Sequence, residues 1–120
     1  MWLPSNDNLI VANTIDESRI AAIRITDGAT RNIVFDNIAI GSSGGIADEV
    51  GTSSIDLASN VTHGDPVSLF VTGTDLHEAT GSPSIDQGVA SYQGRMAPAK
   101  DIDGAARPQG GTFDVGAYER

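Results

Sequence analysis

Short runs in which apolar and polar positions alternate fill the first half of the chain. In Ile20-Ala-Ala-Ile-Arg-Ile-Thr26 a period of two sends Ile23 and Ile25 to one face, and Ala22, Arg24 and Thr26 to the other. The same reading turns Ile33 and Phe35 inward in the next run, then Ile38 and Ile40. Between the runs stand Thr26-Asp-Gly-Ala-Thr30, the Asp36-Asn37 step and Gly41-Ser-Ser-Gly-Gly45, all residues that bend a chain or tolerate positive φ. Leu- and Ala-rich helical spacing is absent. Further on, Asp65-Pro-Val-Ser-Leu-Phe-Val71 predicts one last strand, with Val67, Leu69 and Val71 on one face and Pro66 at its start, where a missing N–H is tolerated.

The runs repeat. Asn8-Leu-Ile-Val-Ala-Asn13-Thr-Ile15 overlays Asn32-Ile-Val-Phe-Asp-Asn37-Ile-Ala39 at an offset of 24, keeping both asparagines and the apolar residues between them. A looser third copy sets Ser54-Ile-Asp-Leu57 on Asn32–Phe35 at 22 and Asn60-Val61 on Asn37-Ile38 at 23. A period of this size with three short strands per unit predicts one coil of a solenoid per repeat. Asn13, Asn37 and Asn60 then fall at one corner, where stacked coils carry a ladder of amide hydrogen bonds at the inter-strand spacing of roughly 4.8 Å. Asn60-Val-Thr62 also spells a glycosylation sequon, which is read as coincidence.

The last third reads differently. Gly81-Ser-Pro-Ser-Ile-Asp-Gln-Gly88, Asp101-Ile-Asp-Gly-Ala-Ala-Arg-Pro108 and Asp114-Val-Gly-Ala-Tyr-Glu119 place Gly and Pro too close together for a long element, with Ile85, Val115 and Tyr118 as isolated apolar anchors. Such a segment covers something, and the open end of the coil stack is the expected target. The division is 1–80 for the coils and 81–120 for a capping tail of the same domain. One domain suits 120 residues of which 39% are hydrophobic, and 5% aromatics with 14 glycines favour strands and turns.

A net charge of −9, from 16 acidic and 7 basic residues, argues against a nucleic-acid partner. The absence of cysteine removes disulfides, thiolate metal sites and a Cys nucleophile. No stretch is expected to span a membrane, and the opening Met-Trp-Leu-Pro-Ser-Asn-Asp lacks the pattern of an export signal.

The order Asp65-Pro66, Phe70-Val71, Asp75-Leu-His77, Gly81-Ser-Pro-Ser-Ile-Asp86 with Gly88, Asp101-Ile-Asp-Gly104, Arg107-Pro108 and Asp114-Val-Gly-Ala-Tyr-Glu119 resembles the C-terminal end of bacterial right-handed parallel β-helix proteins. These are the pectate-lyase-like group described as choice-of-anchor Q proteins. The resemblance is specific over 65–119 and generic over 8–61. It implies an all-β fold, a short right-handed parallel β-helix of about three coils with an irregular C-terminal capping tail. It also implies a secreted or cell-surface setting and contact with acidic polysaccharide, whereas complete members are much longer.

Lyase chemistry of that group implies carboxylates holding Ca²⁺ and a basic residue beside a uronate. Arg24, with Asp27 and Asp48 at strand ends, is the only candidate catalytic set, and it matches no lyase motif. Asp101-Ile-Asp-Gly104 invites a calcium-loop reading, but position 5 is Ala105 and position 12 is Thr112, so the EF-hand pattern fails. A nonstandard Ca²⁺ site from Asp101, Asp103 and Asp114 stays open beside the alternative that these carboxylates cap turns and pair with Arg107. His63 and His77 have no partner at metal-ligand spacing and read as polar surface. The expected function is a non-catalytic structural or binding module, with a polysaccharide lyase complete only in an oligomer or longer chain as the alternative. Met1-Trp-Leu-Pro4 is short for covering the first coil, so that end is expected to pair with a second copy as a homodimer.

Overall fold

The computed structural model describes residues 6–26, 28–41 and 44–120, and of Glu17 the backbone alone. The expected N-terminal cover at residues 1–4, the corner residue Asp27 and the pair 42–43 lie outside the described residues. The strands are β1 (Leu9–Val11), β2 (Thr14–Ser18), β3 (Ile23–Ile25), β4 (Ile33–Phe35), β5 (Ile38–Gly41), β6 (Ile46–Asp48), β7 (Ser54–Ile55), β8 (Ser91–Tyr92) and β9 (Arg95–Met96), with one short helix, α1 (Pro66–Leu69), after β7. The chain is mostly strand and turn, an all-β protein.

Three parallel sheets are built in rotation. β1 pairs with β4 and β4 with β7; β2 pairs with β5; β3 pairs with β6, all parallel. The chain thus visits the three sheets in order, returns to the first and repeats. The register follows the sequence repeat between the first two copies, with Leu9 on Ile33 and Thr14 on Ile38, and Ile23 lies on Ile46. The third copy departs from the expected overlay by one residue, because Ser54 pairs with Ile33 and not with Asn32. A third pass contributes β7 and a parallel bridge from Ile38 to Val61.

The corners explain why the offset is kept. Asp7, Ala12, Arg31 and Asp36 have φ of 61°, 54°, 57° and 54°, and each directly precedes an asparagine: Asn8, Asn13, Asn32 and Asn37. A left-handed non-glycine residue costs on the order of 1 kcal/mol, and here the following Asn side chain supplies the compensating hydrogen bonds. Asn13 donates through its backbone N–H (3.0 Å) and Nδ2 (2.9 Å) to Asn37 Oδ1, and Asn37 donates in the same way to Asn60 Oδ1 at 3.0 Å each. The other corner repeats the device, with Asn8 donating to Asn32 Oδ1 at 3.0 and 2.8 Å. Asn60, the sequon residue, is buried and gives its Nδ2 to Val34 O and Asp56 O.

Inside the passes, Ile23, Ile25, Ala29, Val34 and Ala39 form one buried cluster, flanked by Ile10, Ile15, Ala22, Ile46 and Ile55. Ile23 and Ile25 face inward with Arg24 outward, as their alternation predicts. The next two strands are out of phase with the expectation. Val34 points into this cluster between Ile10 and Ile55, and Ala39 lies beside Ile15, so Ile33, Phe35, Ile38 and Ile40 are displaced from the interior. A one-residue slip in phase exchanges faces. Both faces of these strands read as apolar because the outer face is also covered.

Residues of α1, the segment after it and the tail provide that cover. Ile38, Leu69, Phe70 and Val115 form a second buried cluster, joined by Ile40, Val61 and Leu76. Gly116 donates to Asp36 O at 2.9 Å, Ala117 donates to Thr14 Oγ1 at 2.9 Å, and Val89 donates to the Asp36 carboxylate at 2.9 Å. Tyr92, in the β8–β9 hairpin, sets its ring 5.9 Å from Phe35. Leu69, Phe70 and Leu76, together with residues of 81–120, therefore cover the flank of the passes, at the corner between the first two sheets, whereas the sequence predicts a lid over an open end. Gly116 makes this approach possible. A Cβ there would stand 2.7 Å from Thr14 Oγ1 and 2.9 Å from Ile38 Cδ1, at a φ of +108° that side chains avoid.

The expected strand at 65–71 is α1. Asp65 caps it by accepting from Val67 N–H, and Pro66 takes the first turn, where no N–H is needed. Leu69 and Phe70 are buried against the flank, whereas Val67 is 81% and Val71 51% exposed, so helical spacing selects which residues point inward.

Candidate functional site

The first pass ends in a concave apolar surface of about 420 Å³. Leu9, Ile10, Ile15, Ile23 and Ile25 line it, with Asn8, Asn13 and Asn32 at its polar corners and Arg24 at its rim. β1, β2 and β3 are each at the outer edge of their sheets, so their outer backbone groups border the same surface.

Of the candidate catalytic set, Arg24 lies on the outward face of the third sheet. Arg24 Nε and NH2 both donate to Glu49 Oε1 at 2.8 Å, with side chains 42% and 48% exposed, so the guanidinium is tied to the next pass in a solvated ion pair worth about 1 kcal/mol or less. Asp48 faces its own turn, taking Val50 and Gly51 N–H on Oδ1 and Ser53 N–H on Oδ2. Asp27 lies outside the described residues.

The three candidate metal ligands are directed to separate tasks. Asp101 accepts from Asp103, Ala105 and Glu119 N–H. Asp114 is fully buried and accepts from Asp86 and Arg120 N–H. Asp103 reaches His77 Nε2 at 2.7 Å. Among the described residues no group of three His, Cys, Asp or Glu could hold a metal ion. Of the three, Asp101 caps its own turn, and Arg107 pairs with a different residue. Its Nε donates to Glu119 Oε2 at 2.8 Å, and the two side chains are 1% and 0% exposed. Arg107 NH2 also donates to Asp114 O and Gly116 O, and Glu119 accepts from Gln109 and Asp114 N–H. This buried pair ties the start of the last tail segment to its end.

His77 is an exposed residue, as expected, yet both ring nitrogens are engaged. Nδ1 meets Asp75 at 2.5 Å and Nε2 meets Asp103, while the ring lies 4.0 Å from that of Tyr118. Asp103 and Asp75 together raise the imidazole above its ordinary value of 6.5, and His77 in turn lowers Asp75. Through these two contacts the imidazole, which donates at both nitrogens when protonated, clasps the segment after α1 to the tail. His63 bonds only its neighbour, Thr62 Oγ1, at 2.8 Å.

A second acidic feature has no sequence signal. Glu78 is buried, accepts from Ser84 Oγ, and lies against the Asp114 carboxylate. Burial first, then the Asp114 carboxylate beside it, push Glu78 up from 4.5 to about 8, with Ser84 opposing. Its Oε2 receives no donor, as suits the protonated oxygen. Burial similarly raises Asp36 from 3.8 to about 6. Glu78, Asp36 and His77, each shifted upward, hold a proton in the folded chain over a range where the unfolded chain has released it. The stability these three groups contribute is therefore fully present below about pH 4 and declines as pH rises to about 8, while the lowered Asp75 acts in the opposite sense only at acid pH. The expected result is a urea midpoint higher at pH 5 than at pH 8.5, with Glu78→Gln, an uncharged isostere of the protonated acid, flattening the upper half of that decline. Equal midpoints for the native chain would contradict it.

These polar clusters are internal ties. His77 has both nitrogens occupied by carboxylates, and the Glu78–Ser84 pair is sealed, so neither presents a free base beside an accessible nucleophile. Among the described residues, the end of the first pass presents a concave apolar surface for contact. No helix among the described residues is long and apolar enough to cross a membrane. In comparison with known proteins, no family model, no curated protein and no solved structure matches the chain.

Proposed function

We propose that the chain is a non-catalytic structural and binding module: the terminal coils and flanking cap of a right-handed parallel β-helix, of the pectate-lyase-like kind that its tail resembles. The observation that carries this reading is the asparagine ladder, in which Asn13, Asn37 and Asn60 hydrogen-bond in sequence along one corner. Three parallel sheets visited in rotation support it, as does a tail whose buried charges serve one another. Contact with an acidic polysaccharide or a protein is the role left to such a module, and the unpaired edges of the first pass offer a surface for it. The homodimer expected from the sequence is one way of covering that surface, and light scattering at tens of micromolar reads it.

Incubation with polygalacturonate or alginate in the presence of Ca²⁺ tests the non-catalytic reading. No rise in absorbance near 235 nm is expected, followed by binding on a glycan array if a carbohydrate is the ligand. A sustained rise that Arg24→Ala abolishes would replace the module with a lyase.

A further inference from the structure

The ladder has a direction, and the direction specifies what fits its open end. Each step runs from the backbone N–H and Nδ2 of one asparagine to Oδ1 of the asparagine one pass later. Asn37, in the middle, is used on both sides: its Oδ1 accepts from Asn13, and its Nδ2 donates to Phe35 O, to Asn60 Oδ1 and back to Ile10 O of the preceding pass. Asn13 has only the later half of this pattern. Its Nδ2 donates to Val11 O and Asn37 Oδ1, and no described residue donates to its Oδ1. Beside it, no described strand pairs with the outer edge of β1, and Leu9, 42% exposed, lines the apolar cavity.

We infer that the first-pass edge is a docking surface for one further β-coil, supplied by another stretch of polypeptide, that arrives parallel and presents an asparagine 24 positions ahead in the register of Asn13. This rests on the parallel β-helix reading above. The incoming asparagine brings the two donors that Asn13 Oδ1 lacks, its strand pairs with β1, and its inward side chains close the cavity over Ile10 and Ile15. A two-fold pairing of two first passes brings antiparallel strands and sets acceptor end against acceptor end, so it leaves the ladder unextended.

The test extends the chain itself. A second copy of residues 28–51 in place of residues 1–3 puts the copied ladder asparagine 24 positions ahead of Asn13, the offset that separates Asn13 from Asn37. Amide hydrogen exchange at Leu9–Val11 is expected to slow about 100-fold relative to the native chain, with at least about tenfold of that lost when the copied asparagine is changed to alanine. Unchanged exchange at Leu9–Val11, while β4 and β5 are protected in both chains, overturns the inference and leaves the β-helix reading intact. Absence of protection in β4 and β5 of the native chain overturns the reading itself. A native dimer in sedimentation that protects Leu9–Val11 also overturns the inference, because a second copy then takes the edge without an asparagine donor.

Discussion

Replacing Arg107 with alanine is expected to destabilise the chain by about 3–5 kcal/mol, a loss of roughly 10–20 °C in Tm. The size follows from burial. With side chains 1% and 0% exposed, Arg107 and Glu119 have exchanged water for each other, and truncating the arginine leaves the Glu119 carboxylate buried without its cation. The carbonyls of Asp114 and Gly116 lose a donor at the same time, just where the tail meets the flank through Gly116 and Ala117. Arg107→Lys is expected to recover little, because a single ammonium does not reproduce contacts made by Nε and NH2 in two directions. The double replacement Arg107→Met with Glu119→Leu is expected to recover much of the loss, since it removes both charges together. Urea unfolding of the variants measures this. A loss below about 1 kcal/mol for Arg107→Ala, the value of an exposed pair, would mean that the tail is not closed over these groups.

Asn37→Ala carries the second large effect, about 3 kcal/mol by the same measurement. The side chain is fully buried and serves both neighbouring passes, so its removal strands the Asn13 backbone N–H and the Phe35 carbonyl together with a cavity the size of an amide. Asn13→Ala, at the exposed end of the same ladder, is expected to cost about 1 kcal/mol, because water replaces what is lost. The contrast between the two positions is the signature of a ladder. Similar costs at both would mean two independent turn asparagines.

The ladder was legible in the sequence because it demands the same residue at the same corner of every pass, and no other side chain both donates and accepts with that reach. The left-handed residues before it were not legible. Asp7, Ala12, Arg31 and Asp36 share a backbone conformation without sharing chemistry. The inward phase of β4 and β5 was misread for a related reason: Val34 and Ala39 face the interior while Phe35 and Ile38 face the tail, so apolar residues fall on both sides and alternation loses its meaning. The tail reads as a cover in the sequence, and which surface its Val115, Gly116 and Ala117 meet depends on that phase. At α1 the signal was present in Asp65-Pro66, a cap followed by a first-turn proline, and the alternation of Val67, Leu69 and Val71 concealed it. The site chemistry was the least visible. Arg107 with Glu119, His77 with Asp103 and Glu78 beside Asp114 join residues 12, 26 and 36 positions apart through turns, and no spacing rule reaches across them.

Parallel stacking of successive passes underlies every step of this account, and the cysteine-free chain allows it to be measured through one cross-link. Arg24 and Ala47 are register partners on the outward side of β3 and β6, at a separation that a disulfide spans. Arg24→Cys with Ala47→Cys is expected to give an intramolecular disulfide under mild oxidation, with the far-ultraviolet circular dichroism of the native chain. Two thiols that both stay reactive in the folded monomer, or that cross-link only between molecules, would contradict the register and the parallel stack built on it.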